Sequence, residues 1–370
     1  MRKYRNLSFI SFLLKNAVFL TIICLIMLIG VAMQYSAGGG HWMPRAGKHL
    51  FRFIVCMGVM LTIALTDQRF WYAWAYWLYI GVLFLLFFVG LWGGVGMGAR
   101  RWIGLYIIEI QPSEFMKVAL VLVLSRYYCS LNVCERQAPG VHITPLLMVA
   151  IPSILVLRQP DLGSALILVG AGFGVIFFAG LQLWKIVASF LLGLCSFPIA
   201  WMHLHTYQKK RILIFLNPDQ DPLGAGYHLL QSKIALGSAG FWGKGFLKGT
   251  QSHLNFLPEK HTDFIFAMLC EEFGFLGGSL LLFLYITLIA LSYLMTSTVR
   301  GYFGRLMGSG LTFLLFLHVF VNIGMVMGLL PIVGVPLSFV SYGGSSMLSA
   351  AIALGFVLNI AHYSTLRLGE

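Results

Sequence analysis

Runs of about 17 to 25 mostly apolar residues, the length of helix that crosses a bilayer, recur along this 370-residue chain. They fall near residues 14–34, 50–66, 74–92, 142–157, 163–180, 184–203, 263–294, 306–330 and 340–362. A further run, 112–128, carries Glu114 and Lys117 but is otherwise apolar from Phe115 to Leu124, so it crosses if those charges neutralise each other. With it, the pattern predicts an all-α polytopic bundle of about ten spans. The one long hydrophilic connection, 204–262, lies between spans seven and eight. It is too long for a turn and poor in Ser/Pro repeats, so it is expected to fold over the bundle. Residues 1–370 read as a single membrane domain.

Composition excludes a soluble fold: 59% of residues are hydrophobic and 10% charged, against roughly 25% charged in soluble domains. The formal charge of +13 would raise nucleic acid as a partner in a soluble protein, but here membrane lipids fit better and no nucleic acid is expected. The apolar stretch after Met-Arg-Lys-Tyr-Arg continues to Met33, longer than a cleaved leader, and reads as the first span. An even span count puts both termini on one side, and Arg2, Lys3, Arg5 and Lys15 make that side the cytoplasm. The raw count of basic residues contradicts this orientation, whereas counting short loops alone supports it. The surplus on the outer side (Arg45, Lys48, Arg52, Arg100, Arg101, Arg158, Lys209, Lys210, Arg211, Lys233, Lys244, Lys248 and Lys260) is either a headgroup-facing rim or a lining for an anion such as a phosphate. The six cysteines lack metal-ligand spacing and read as small apolar residues.

Ionisable residues in or beside spans are the candidates for chemistry. Glu114 and Lys117, three apart, share a helix face; they either neutralise each other or present the lysine to a lipid-linked phosphate. Glu271 and Glu272 read as structural partners inside the bundle. Asp263 opens an apolar run after His261-Thr262, where it serves as a helix cap or as something more reactive. Asp161 occupies a similar corner, free to cap a helix or to pair with Arg158. The stretch Gly237 to Gly249 interleaves glycine, aromatics and lysine; it is not a nucleotide-binding loop, and its bare N–H groups suit phosphate oxygens at the membrane interface. Pro331 to Pro336 and Ser341 to Ser346 form a Pro/Gly-broken outer hairpin, which implies a cleft nearby.

Five segments resemble the SEDS family of bacterial cell-wall polymerases, closer to its elongation branch (RodA) than to its division branch (FtsW). They are Gln111-Pro-Ser-Glu-Phe-Met-Lys117, Gln159-Pro-Asp-Leu-Gly-Ser164, Asp221 to Lys233, Leu257-Pro-Glu-Lys-His-Thr-Asp-Phe-Ile-Phe-Ala267, and Pro331 to Leu337 with Ser341 to Ser345. Ser338 stands where the family commonly has proline. The resemblance implies a peptidoglycan glycosyltransferase that polymerises lipid II at the outer face of the bacterial cytoplasmic membrane, working with a class B penicillin-binding protein. It places the family's essential aspartate on Asp263 and its further charged site residues on Glu114, Lys117 and Asp161. Arg101, Arg158, Lys233, Lys244, Lys248, Lys260, His261 and Ser341 complete the expected substrate-binding set. One carboxylate suffices for this reaction: the acceptor hydroxyl needs a base, while a diphosphate leaves without protonation and needs cations, from Arg/Lys or a divalent ion such as Mg or Mn. A lipid II transporter and a non-catalytic scaffold are the competing readings.

Overall fold

The computed structural model describes residues 9–363 apart from 93, 97–98, 106–107, 133–134, 181–201, 203–205, 218–223, 255 and 258. The helices are α1 (Phe9–Lys15), α2 (Ala17–Ala37), α3 (Gly47–Leu65), α4 (Gln68–Trp92), α5 (Pro112–Cys129), α6 (Ile143–Arg158), α7 (Leu162–Phe178), α8 (Thr206–Leu216), α9 (Ala225–Ser238), α10 (Thr250–His253), α11 (Ile265–Ser297), α12 (Tyr302–Val326) and α13 (Gly344–His362). Among the described residues, seven helical stretches are long and apolar enough to cross a membrane. The chain is a multi-pass membrane protein. Large apolar side chains on the outside of the bundle, such as Trp77, Phe84 and Phe283, are exposed, as expected where lipid rather than water is the solvent.

The ambiguous run proves to be the centre of the molecule. Pro112 starts α5 at a position where its missing N–H costs nothing, and the helix packs against α4, α6, α7, α12 and α13. Its charged residues are therefore interior, with Glu114 and Lys117 only 3% and 1% exposed. α7, with 17 residues, is apolar but shorter than the seven candidate stretches, of which the one containing α6 runs over Gly140–Arg158. The expected span 184–203 lies outside the described residues apart from Met202.

Two features depart from the sequence-based picture. A small antiparallel sheet, β1 (Gly94–Gly96), β2 (Ala99–Leu105) and β3 (Ile108–Ile110), sits between α4 and α5, an element that the all-α expectation lacks. The glycine-rich loop, expected to offer bare N–H groups to phosphate, instead repairs a break in α11. Gly274 there has φ +68, which interrupts the helix; across the break Lys244 and Gly245 N–H donate to the carbonyls of Glu271 and Glu272, and Phe275 and Leu276 N–H donate to those of Gly240 and Phe241. A Cβ at Gly243 would lie 2.2 Å from the Glu272 carbonyl oxygen, so the contact requires glycine.

Candidate active site

Asp263 precedes α11, which begins at Ile265; the N-cap position falls to Phe264, so the capping reading of Asp263 does not hold. Its segment is held through its backbone. The His261 carbonyl accepts hydrogen bonds from Gln34 Nε2 (3.0 Å) and from Tyr342 N–H (2.9 Å). The Thr262 carbonyl accepts from the Ser341 hydroxyl (2.6 Å) and the Asp263 carbonyl from Asn322 Nδ2 (3.0 Å). Three successive carbonyls are thus pinned from three other parts of the chain, which fixes where the Asp263 side chain starts.

The carboxylate itself is half-buried and accepts no hydrogen bond among the described residues. The loop between α12 and α13 passes over it: a Cβ at Gly334 (φ +72) would lie 3.4 Å from Asp263 Oδ2. Burial pushes the Asp263 carboxyl up to about 7; the negative charges of Glu259 and Asp161 add to the shift and the Arg211 guanidinium opposes it.

Asp161 caps α7, accepting from Ser164 N–H (3.1 Å) and the Ser164 hydroxyl (2.8 Å). Gln111 Nε2 donates to Oδ2, the oxygen that also takes the Ser164 hydroxyl, at 3.0 Å, which joins the start of α5 to the start of α7. The capping alternative therefore holds for Asp161, while Arg158 is exposed. Arg101, carried on β2, donates to the backbone carbonyls of Gln159 and Pro160 and braces the same corner. A Cβ at Gly163 would lie 2.5 Å from the Val333 carbonyl oxygen, so this corner abuts the loop that covers Asp263.

Beneath lies a buried polar network. Lys117 Nζ contacts Glu114 Oε1 at 2.7 Å and His318 Nε2 at 2.8 Å, and the Ser349 hydroxyl donates to Glu114 Oε2 at 3.1 Å. Leu314, Leu315, Ser338 and Ala350 join His318 and Ser349 around an interior cavity there. His318 and Asn322 are one turn apart on α12, so a single helix face holds both this network and the Asp263 carbonyl.

The chain matches the family model of cell cycle proteins FtsW, RodA and SpoVE over residues 11–366. It belongs to that family. It is 41% identical over 341 residues to the peptidoglycan glycosyltransferase MrdB of Escherichia coli K12, covering 92% of this chain and 91% of the relative. It is 36% identical over 357 residues to stage V sporulation protein E of Bacillus subtilis, covering 93% and 96%. Among solved structures, a chain from work on the structural coordination of polymerization and crosslinking by a peptidoglycan synthase complex superposes with a TM-score of 0.79 at 30% identity, covering 94% and 98%. Crystalline RodA of Thermus thermophilus superposes with a TM-score of 0.67 at 28% identity, covering 94% and 97%.

Within this member of the FtsW/RodA/SpoVE family the expected site residues do not all converge. Asp263, Asp161, His261 and Ser341 gather around the 331–341 loop, while Glu114 and Lys117 form the network below. Lys244 instead pairs with Glu271 (2.9 Å) and contacts the Thr250 hydroxyl (2.8 Å). The Lys260 ammonium donates to the Ser252 carbonyl, and burial together with the charge of Arg45 lowers its pKa. Lys233 and Lys248 are exposed. His261 is half-buried with its ring 6.2 Å from that of Tyr342, and burial and Arg45 hold its pKa below the usual histidine value. Among the described residues no group of three or more His, Cys, Asp or Glu side chains converges as a metal site. Gln34, Asn322 and His318 escaped the sequence reading, since a lone amide or imidazole in an apolar run carries no spacing signal; only their burial in a membrane span hinted at them.

Proposed function

We propose that this chain is a peptidoglycan glycosyltransferase that polymerises lipid II at the outer face of the bacterial inner membrane, with Asp263 as the general base. The observation that carries the reading is a carboxylate without hydrogen bonds among the described residues, partly desolvated and titrating near neutrality, on a backbone pinned at three successive carbonyls. Such a group accepts a proton readily and stays in place while doing so.

In the reaction, Asp263 removes the proton from the acceptor sugar hydroxyl as its oxygen bonds to the anomeric carbon of the donor. The bond from that carbon to the diphosphate oxygen breaks, and the lipid diphosphate leaves with the electron pair. Attack opposite the leaving group converts the α-linked diphosphate sugar into a β-1,4 glycan. Arg211 beside Asp263, together with exposed Arg158, Lys233 and Lys248, supplies cations for the leaving diphosphate, and a divalent ion bound to that diphosphate would add to them. Arg101, Asp161 and Ser341 are better suited to shaping the site than to touching substrate, because their polar groups are engaged with the protein. The Glu114–Lys117–His318 network sets the packing beneath. The whole chain acts as one membrane domain with both termini in the cytoplasm, and the likeness to a chain of a peptidoglycan synthase complex supports a class B penicillin-binding protein as its partner.

Purified protein with lipid II in detergent separates this reading from a transporter, because polymerisation needs no sealed membrane. Glycan from the parent chain and none from a folded Asp263→Ala variant is the expected result; no glycan from the parent even with its transpeptidase would overturn it. A scaffold, by contrast, would tolerate Asp263→Asn in cells that depend on the complex.

A further inference from the structure

Two amide side chains tie the Asp263 segment to the loop that covers it. Gln34 on α2 donates to the carbonyls of His261 (3.0 Å) and Val340 (3.1 Å), and Asn322 on α12 donates to those of Asp263 (3.0 Å) and Val335 (2.7 Å). Each amide therefore grips one carbonyl in 261–263 and one in 335–340. Both side chains are 0% exposed. In both, the amide oxygen is buried without a partner among the described residues, a cost of about 1–3 kcal/mol for an unmet group. Turning either amide over would set its oxygen against two carbonyl oxygens, so the nitrogen orientation is dictated by the chemistry. A side chain that keeps half its hydrogen-bonding capacity unmet is valuable for the other half.

We infer that Gln34 and Asn322 are positioning residues for the transfer reaction, a paired brace that holds the base segment and the covering loop in fixed register. This inference rests on the role proposed above for Asp263. A spacing error of about 1 Å at a reacting group costs on the order of 10²-fold in rate, which is the scale on which a brace matters.

The molecule contains its own control. Asn359, also 0% exposed, donates from Nδ2 to the carbonyls of Ile63, Ala64 and Thr66, and its oxygen has no partner among the described residues. It lies 15 residues beyond the start of α13, roughly 22 Å along the helix. It makes the same kind of brace far from Asp263.

The test compares Asn322→Leu, Gln34→Leu and Asn359→Leu in the full-length protein with its transpeptidase. Thermal melting, kcat and KM for lipid II, and the titration midpoint of the Asp263 carboxyl are measured, the last by infrared difference spectroscopy against Asp263→Asn. All three substitutions are expected to lower Tm by similar amounts. Asn322→Leu and Gln34→Leu are expected to reduce kcat 10- to 100-fold, leave KM within about threefold and shift the carboxyl midpoint downward as Asp263 loosens from Glu259 and Asp161 toward water and Arg211. Asn359→Leu is expected to change neither kcat nor midpoint. Should Asn322→Leu fail to fold, Gln34→Leu carries the test. Equal kcat loss in all three variants, or a carboxyl midpoint unmoved by Gln34→Leu and Asn322→Leu, would overturn the brace. Retained polymerisation by Asp263→Asn would instead overturn the base assignment, and the carboxyl midpoint would still report on the brace.

Discussion

Asp263 and Glu271 stand eight residues apart at the same end of α11, and their surroundings are opposite. Glu271, 0% exposed, is surrounded by donors: Lys244 Nζ at 2.9 Å, the Thr250 hydroxyl at 3.2 Å, and the N–H groups of Gln251 and Ser252 at 2.8 and 3.1 Å. With Glu272, which takes His253 and the Ser36 hydroxyl, it fastens the loop that precedes α11 to the helix. At Asp263 the protein satisfies the backbone, and among the described residues nothing donates to the carboxylate. A fully bonded carboxylate is held as an anion and makes a poor proton acceptor; an unbonded, desolvated one is poised to change state. The contrast distinguishes a structural acid from the one proposed as the base without reference to any relative.

That contrast can be broken by substitution. Asp263→Asn should lower polymerisation by roughly 10²–10⁴-fold, the usual worth of a positioned base, measured with lipid II and gel analysis of glycan. Lys117→Met should cost about 3–5 kcal/mol of stability by leaving Glu114 as an unpaired buried charge; a double variant with Glu114→Gln should recover most of it in thermal melting. Glu271→Gln should cost about 1–3 kcal/mol through its orphaned donors, with activity per folded molecule within about threefold of the parent. The smallest effect has the opposite sign. Because the folded carboxyl of Asp263 titrates above its ordinary value, the native state loses stability as pH rises from about 4 to about 7. Asp263→Asn should therefore melt a few degrees above the parent at pH 8 and match it at pH 4.

How far the sequence reached follows the same division. Apolar runs located the helical bundle because lipid demands continuous hydrophobic length, and the buried Glu114–Lys117 pair was legible because charges three apart share a face. The short motifs around Asp161, Asp263 and Ser341 pointed to segments that do converge. What sequence could not supply was which polar groups are already taken. Lys244 and Arg101 looked like free outer cations, yet they hold Glu271 and the 159–160 carbonyls. The loop Gly240 to Gly245 looked like a phosphate cradle because its partner, the broken turn at Gly274, lies about thirty residues away. Gln34 and Asn322 each act through a pair of hydrogen bonds to distant backbone carbonyls, which leave no periodic trace.

The central claim, that Asp263 is the unsatisfied base, is tested most directly by the pH dependence of lipid II polymerisation in the parent and in Glu259→Gln. The account predicts a rate that rises with pH through a midpoint near 7 as Asp263 loses its proton, and a lower midpoint in Glu259→Gln, where a neighbouring negative charge is removed. A rate that is flat between pH 5 and 8, or a midpoint indifferent to Glu259, would contradict it.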